Sequence, residues 1–371
     1  MFTQAFLKHL KKSAIVSVSI ASACGPASPL RIAVVGTGGS TVGAELAVAD
    51  INAAGGIAGR LLELEIVNEP SESVPLEAIR IAERLAADQT ILAVVGHGGS
   101  SRSLAASQVY NARGVPQIAP NTSAPLFTDA GPFSFRLVAS DEYQGAFVAA
   151  HILSLTPAPR IAIIYVNDDY GRPVRRVLRD SLLIGNASVV YESPFQERGA
   201  FTEFADDLVQ GIVGAGPDLL VWVGRPDELS QIRRRLKSEL PNARVLGTDA
   251  VGRFRGLPKP ALIDGDLLVS YVDLAADRAD LKLVAQRFRS RTGNVLTDVA
   301  ALTYDAIGVV AAGIRAGANT RVAMRKYLER ITTTDPYQGI AGPVSFDENG
   351  DARPRYLLVE VVNSQLRRFH Q

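Results

Sequence analysis

The stretch GHGGSSRSLAASQVYNARGVPQIAPNTS, residues 96–123, carries the deciding pattern. It follows an apolar run, Ile91-Leu92-Ala93-Val94-Val95, with the length and composition of a buried parallel strand. Glycines and serines come next, then a helical segment over about 104–112. A second strand, Val115–Ala119, ends in Asn121-Thr122-Ser123. Two successive strands thus end in small hydroxyl and amide residues. In an open parallel sheet such ends lie side by side and form the crevice where small molecules bind. Ser100 and Ser101 stand at the helix start, where they are expected to cap it while backbone N–H groups point at the same spot. Such a place offers an uncharged grip on a carboxylate. The same serines also read simply as caps and turn formers.

The pattern extends in both directions. Upstream, Leu30–Val35 is a strand, about 42–54 a helix stopped by Gly55-Gly56, Leu61–Val67 a strand and about 74–87 a helix. This alternation predicts an α/β fold with a parallel sheet. Downstream, Phe133–Leu137 reads as a link, and the alternation restarts with a helix at 143–155. Strands are expected at 160–166, 187–191, 219–223, 244–246 and 267–271. Leu229, Ile232, Leu236 and Leu240 share one helix face, and Arg233-Arg234-Arg235 is expected on the solvated side. Long helices follow near 279–291, 299–316 and 320–331. Gly342–Phe346, the turn Asp347–Gly350 and Tyr356–Val362 read as a terminal hairpin.

The chain has 371 residues, more than one hydrophobic core usually serves, so two lobes are expected. Its 39 basic and 38 acidic residues leave a net charge of +1, which points away from nucleic acid as a partner. His9, His97, His151 and His370 are scattered singly, and the one cysteine excludes an internal disulfide and a cysteine-rich metal site.

That cysteine, Cys24, closes a leader. Lys8, Lys11 and Lys12 precede an uncharged run from Ser13 to Ala23, too short to span a bilayer but suited to the core of a secretory signal. Ala21-Ser22-Ala23-Cys24 resembles a bacterial lipoprotein signal, in which the cysteine is acylated and becomes the new N-terminus. Ala21 departs from the leucine usual there, and an ordinary signal cleaved nearby is the alternative. Residues 1–24 are then the leader and 25–29 a tether; the mature protein works outside the cytoplasm, touching the membrane only through a lipid.

Catalytic motifs are weak. Gly36-Thr37-Gly38-Gly39-Ser40-Thr41, with Glu69 ending the second strand, is like a dinucleotide-binding loop, but Thr41 stands where the third glycine belongs. No phosphate loop ends in Gly-Lys-Ser/Thr. Gly38–Val42 and Gly98–Arg102 both lack the last glycine of a nucleophile elbow. His97 reads as a structural residue at a strand end, and no histidine pair has metal-ligand spacing.

With these residues in view, the chain resembles the branched-chain amino-acid (leucine/isoleucine/valine-binding) type of periplasmic solute-binding proteins of ABC importers. The resemblance runs from Arg31 to about Val362. Its strongest markers are Gly43–Ile57 (GAELAVADINAAGGI), Asp168-Asp169-Tyr170-Gly171 and Gly342–Asp351 (GPVSFDENGD). It implies an α/β type I periplasmic-binding-protein fold: two Rossmann-like lobes joined by three crossing strands, with a small ligand held between them and passed to permease subunits. It implies no cofactor, no metal and no catalysis. The crossings are expected near Leu137–Ser140, Asp249–Val251 and Ser345–Asp347. Residues 30–138 plus 250–345 would form the first lobe and 139–249 plus 346–371 the second.

By the same resemblance, Ser100, Ser101, Asn121 and Ser123 hold the ligand carboxylate from the first lobe. Asp249 holds an ammonium from the second, and Tyr170 covers the ligand. Arg225 falls at a ligand-facing position; it reads equally as a solvated residue at a helix start. The loop after the first strand is shorter than in relatives, and Asp249 replaces the commoner glutamate. Branched-chain amino acids therefore stand beside other amino acids, amides and small carboxylates as candidates. A ligand sensor of the same fold is the alternative function, and an exported enzyme a remote one.

Overall fold

The computed structural model describes residues 30–70, 74–196, 199–254, 264–353, 355–363 and 365–369. The leader, Cys24 and the tether lie outside the described residues.

The first lobe grows from β1 (Leu30–Gly36), α1 (Gly39–Ala53), β2 (Leu62–Asn68), α2 (Pro75–Ala87), β3 (Ile91–Val95), α3 (Ser100–Ala112), β4 (Gln117–Ala119), the short α4 (Leu126–Asp129) and β5 (Ser134–Arg136). Its five strands pair in the order β2-β1-β3-β4-β5, all parallel. Segment 133–137, expected as a link, supplies β5, the edge strand. Alternation along β1 separates two cores. Ile32 and Val34 face α1, whereas Ala33 and Val35 face α2 and α3. Both faces of the sheet centre are covered, which is why β1 and β3 are almost wholly apolar, whereas the edge strand β2 alternates with glutamates.

The second lobe contains α5 (Asp141–Leu153), β6 (Arg160–Val166), α6 (Gly171–Ile184), β7 (Ser188–Phe195), α7 (Gly199–Ala215), β8 (Leu219–Val223), α8 (Pro226–Glu239), β9 (Arg244–Gly247) and β10 (Leu267–Ser270). The chain then returns to the first lobe with α9 (Ala279–Thr292), α10 (Asp298–Arg315), α11 (Arg321–Leu328) and the paired β11 (Tyr337–Gly339) and β12 (Gly342–Val344). Helix α10 packs on α1 so closely that a Cβ on Gly43 would sit 2.3 Å from the Ala300 carbonyl oxygen. Finally β13 (Leu357–Val362) and β14 (Gln365–Arg368) join the second sheet, ordered β14-β13-β10-β9-β8-β6-β7.

Several expectations are corrected. Segment 342–344 pairs with β11, and the terminal hairpin is β13 with β14. Arg233 is not solvated: it is buried and bonds both carboxylate oxygens of Asp266 at 2.8 and 2.9 Å. The first crossing falls at Leu137–Ser140, with Leu137 and Val138 in the first-lobe core and Ser140 preceding α5. The second does not lie near 249–251. Val251 packs in the second lobe and β10 pairs with β9, so the chain leaves that sheet only after Ser270, where Tyr271 and Val272 enter the first-lobe core. Nor does the third lie at 345–347. Phe346 stacks edge-on to Phe135 in the first lobe, and Arg136 grips Asp351 with two bonds of 2.6 and 2.8 Å. The crossing therefore follows Ala352, which still bridges to Phe346, and is complete at Leu357, where β13 joins the second sheet. Arg233 and the two displaced crossings depend on partners far away in sequence, whereas the β11–β12 pairing is a local hairpin.

The crossings are tied to one another. The Tyr356 hydroxyl donates to the Ser140 carbonyl at 3.0 Å, and its ring lies 5.2 Å from that of Tyr271. Arg136 is 1% exposed at its side chain, so its pairing with Asp351 is a buried charge contact. Arg136→Met is expected to lower the unfolding free energy by about 3 kcal/mol, measured by urea denaturation, because Asp351 is left without its cation.

Candidate ligand-binding cleft

Both sheets turn the C-terminal ends of their strands toward the same gap. In the first, β1 lies between β2 and β3; in the second, β6 lies between β7 and β8. Each is a point where the strand order reverses, the place at which open α/β sheets leave a crevice.

From the first lobe come Gly99, Ser100, Asn121 and Ser123. From the second come Asp168 and Tyr170 after β6, Arg225 after β8, and Asp249 with Ala250 after β9. Six of the seven residues expected at the site line this one gap; Ser101, in the first turn of α3, does not. Ser100 and Ser101 are not the caps expected of them either. Helix α3 begins at Ser100, four residues before the expected start, and Gly99 is its N-cap. The Ser100 hydroxyl is thus not spent on the helix end. The two first-lobe loops are braced beneath: Thr122 donates to Ser103 at 2.6 Å, Ser103 to the His97 carbonyl at 2.9 Å, and Gln117 to the Gly96 carbonyl at 3.0 Å. With Thr122 turned inward, Asn121 and Ser123 border the gap.

On the opposite side, the half-buried Asp249 carboxylate is fixed through Oδ1. Gln144 Nε2 donates to it at 2.7 Å, and the Tyr170 hydroxyl lies at 2.7 Å. Thr248 Oγ1 is also 2.7 Å from that hydroxyl. Tyrosine has one proton, and of these two acceptors the carboxylate is the stronger, so Tyr170 donates chiefly to Asp249, while Thr248 gives its own proton to the Trp222 carbonyl at 3.2 Å. Among the described residues, none donates to Asp249 Oδ2. Burial, with Asp249 nearby, pushes the Tyr170 hydroxyl well above its ordinary pKa, so it stays a donor. Asp168 accepts from the backbone N–H groups of Tyr170 and Gly171 at 2.9 and 2.8 Å, and so opens α6. Burial raises its pKa against those bonds and against Arg225. Asp141, fully buried, is pushed well up by burial and further by Asp249, with Ser123 and Arg136 opposing the rise.

Sequence reasoning missed Gln144, Asp141 and Thr248. The available signal was weak: Asp141 and Gln144 sit three apart on one turn of a helix otherwise rich in small and apolar residues.

The gap itself holds about 30 Å³. It shares Asn121 with a compartment of about 220 Å³ inside the first lobe, at the ends of β1 and β3. There Glu69, 2% exposed, accepts from His97 Nδ1 at 2.5 Å, Arg102 Nε at 3.2 Å and the Gly98 N–H at 3.2 Å. Glu69 is therefore committed to a charge cluster, not to the ribose contact a dinucleotide loop would need. His97 Nε2 meets the buried Tyr110 hydroxyl at 3.0 Å.

The family model described as "Periplasmic binding protein" matches residues 33–365. The chain belongs to the periplasmic binding protein family. Within that family it is 29% identical over 319 residues to an amino acid binding protein of Pseudomonas aeruginosa, covering 84% of this chain and 82% of the relative. It is 28% identical over 341 residues to the Leu/Ile/Val-binding protein of Escherichia coli, covering 88% and 89%. The crystal structure of an ABC transporter substrate-binding protein from Desulfitobacterium hafniense, in complex with Leu, superposes with a TM-score of 0.75 at 22% identity, over 92% of this chain and all of that one. The expected two-lobed periplasmic-binding-protein fold is thus the fold observed.

Burial would raise the Glu69 pKa, but His97, Arg102 and the Gly98 N–H outweigh it and hold it below the ordinary carboxylate range. A lowered folded-state pKa means stability that is present above the unfolded value, about 4.3, and lost as pH falls through the folded one. Glu69→Gln is expected to cost about 3 kcal/mol at neutral pH. In denaturation curves the difference from the wild type should shrink as the pH falls below about 4.

Proposed function

We propose that this chain is the extracytoplasmic receptor of an ABC importer, which captures a small amino-acid-like zwitterion between its lobes and delivers it to a membrane permease. One observation carries the reading: neutral donors on one lobe and the carboxylate of Asp249 on the other border the same gap. The family and the binding proteins it resembles support the periplasmic setting.

The roles follow from chemistry. Ser100, Ser123 and the backbone N–H groups of the first turn of α3 receive the ligand carboxylate, with Asn121 beside them. Ser101, one residue on, helps only by shaping that turn. Asp249 Oδ2 receives the ammonium, because a cation withdrawn from water needs an opposite charge and hydrogen bonds. Tyr170 orients Asp249 and closes over the ligand. Arg225 offsets Asp168 at the rim. A ligand touching both lobes binds the closed state better than the open one, and that difference drives closure. The permease then reads the closed form.

The receptor reading is favoured over an enzyme because both ring nitrogens of His97 are engaged by Glu69 and Tyr110, away from Ser100. Export with a lipid on Cys24 completes the proposal. No helix among the described residues is long and apolar enough to cross a membrane, and a lipid would hold the receptor near its permease.

A thermal-shift screen against amino acids and plain carboxylates should raise the melting temperature for at least one zwitterion. Asp249→Ala should weaken that zwitterion on the order of 100-fold while sparing a plain carboxylate, since only the ammonium loses its partner. Equal weakening of both would remove the ammonium role. Mass spectrometry of membrane-extracted protein should find diacylglycerol on Cys24, and Cys24→Ala should release the protein from membranes.

A further inference from the structure

A broader groove flanks the gap and has no part in the grip on carboxylate and ammonium. It holds about 650 Å³, against about 30 Å³ for the gap. We infer that this groove is a permease docking site, which takes an apolar side chain of a permease loop between its walls and a neighbouring lysine or arginine against Asp129 and Asp347. The inference rests on the proposed receptor function and adds the face, and the chemistry, by which the partner recognises the receptor.

Both lobes build the groove. Leu104 of α3 with Pro125 and Leu126 belongs to the first-lobe wall, and Tyr143 of α5 with Pro173 of α6 to the second. Arg136, Ser140 and Asp351, beside the first and third crossings, close the bottom. The walls therefore swing about their own floor when the lobes rotate, and the groove has this width only at this lobe angle. It also runs on from the cleft: Ala124 follows Ser123 and Asp169 follows Asp168, the first of each pair on the groove and the second on the gap. A partner seated here meets one shape on a closed receptor and another on an open one. Such a difference is what lets it bind the two states unequally.

The surface of the groove states the partner's chemistry. Leu126 is 62% exposed and Tyr143 53%, and they face the same groove from opposite lobes. Large apolar side chains that converge from separate elements mark a contact surface. Both stay in water unless something larger than the ligand of the gap covers them. Three of the acids along the groove are matched: Glu142 by Arg176 at 2.9 Å, Asp169 by Arg172 at 2.8 Å and Asp351 by Arg136. Among the described residues, no cation pairs with Asp129 or Asp347. Asp347 accepts from the backbone N–H groups of Asn349 and Asp351 at 2.9 Å each, which holds its carboxylate in place without neutralising it. The groove is thus left with two unmatched negative charges, and its complement is basic. A two-fold contact centred on the groove would set the acids of two copies against each other, which disfavours a second copy of this chain as the occupant.

Uptake tests this in cells that lack their own copy of the gene and carry the full chain or a variant at equal abundance. The probe is a radiolabelled mixture of L-amino acids, counted above the background of cells without the chain. The same mixture, unlabelled, serves to measure the rise in melting temperature of each purified chain. Burying a leucine fully is worth roughly 10-fold or more in affinity, so Leu126→Lys is expected to lower uptake roughly 10-fold and leave the melting-temperature rise unchanged. Asp129→Lys should lower uptake roughly threefold with the same unchanged rise, and it carries the test if Leu126→Lys does not fold. Leu183→Lys, at the far end of α6 and 47% exposed, should match the wild type. Wild-type uptake by the folded groove variants would overturn the inference but leave the receptor reading intact. So would an equal loss in Leu183→Lys, or a melting-temperature rise lost in step with uptake, which would put the groove in the ligand site. A wild-type dimer that Leu126→Lys dissociates would give the groove to a second copy and overturn the inference as well. A wild-type chain that the mixture stabilises but that supports no uptake would instead count against the importer reading itself.

Discussion

A carboxylate that is to meet a cation, the role proposed for Asp249, has to be held still without being neutralised, and the Asp249 contacts meet both demands. Tyr170 and Gln144 donate to one oxygen and bring no positive charge. They fix the side chain and leave its charge and its other oxygen for something else. The arrangement is possible because Asp249 follows β9, Tyr170 follows β6, and parallel strands bring both ends to one edge of the second sheet. Gln144 reaches further, donating also toward the Tyr271 hydroxyl at 3.1 Å. Tyr271 belongs to the second crossing and stacks near Tyr356 of the third, whose hydroxyl holds the first at Ser140. The acid in the cleft and the three connections between lobes thus form one continuous polar and aromatic network.

The two lobes divide the electrostatic labour. The first presents hydroxyls, an amide and backbone donors around a buried cluster in which Glu69 balances Arg102. The second presents acids, two of which, Asp141 and Asp168, are pushed toward the protonated form by burial and by neighbouring carboxylates. A zwitterion is the complement of that division, because its two charges separate across the same boundary. Buried polar groups in such a place are costly unless each has a partner, which explains the bracing of the first-lobe loops by Ser103, Thr122 and Gln117.

Much of this was legible in the residues. Apolar runs bounded by glycine and polar turns located nearly every strand and helix, because those patterns are set by local periodicity. The strand-end motifs at 100–101 and 121–123 pointed to one crevice, because strands that end together leave their following residues together, while Tyr170, Arg225 and Asp249 were named from the family resemblance; the structure brings all but Ser101 to one gap. Corrections arose where pairing was non-local. Nothing near Leu267 says that β10 joins the second sheet, because its antiparallel partner β13 lies near the end of the chain; the β11–β12 hairpin is the exception, a local pairing across Gly339 and Gly342. Arg233 looked solvated because its partner, Asp266, lies 33 residues away.

By itself, then, the sequence determined the class of fold, the two-lobed division and the edge of each sheet at which polar side chains gather, since periodicity and turn chemistry are written locally. Only the tertiary structure decided where the chain passes between lobes, that Gln144 holds Asp249, and that a groove with walls from both lobes flanks the cleft. Those depend on which distant segments come within hydrogen-bonding range, and that is a property of packing, not of any one segment.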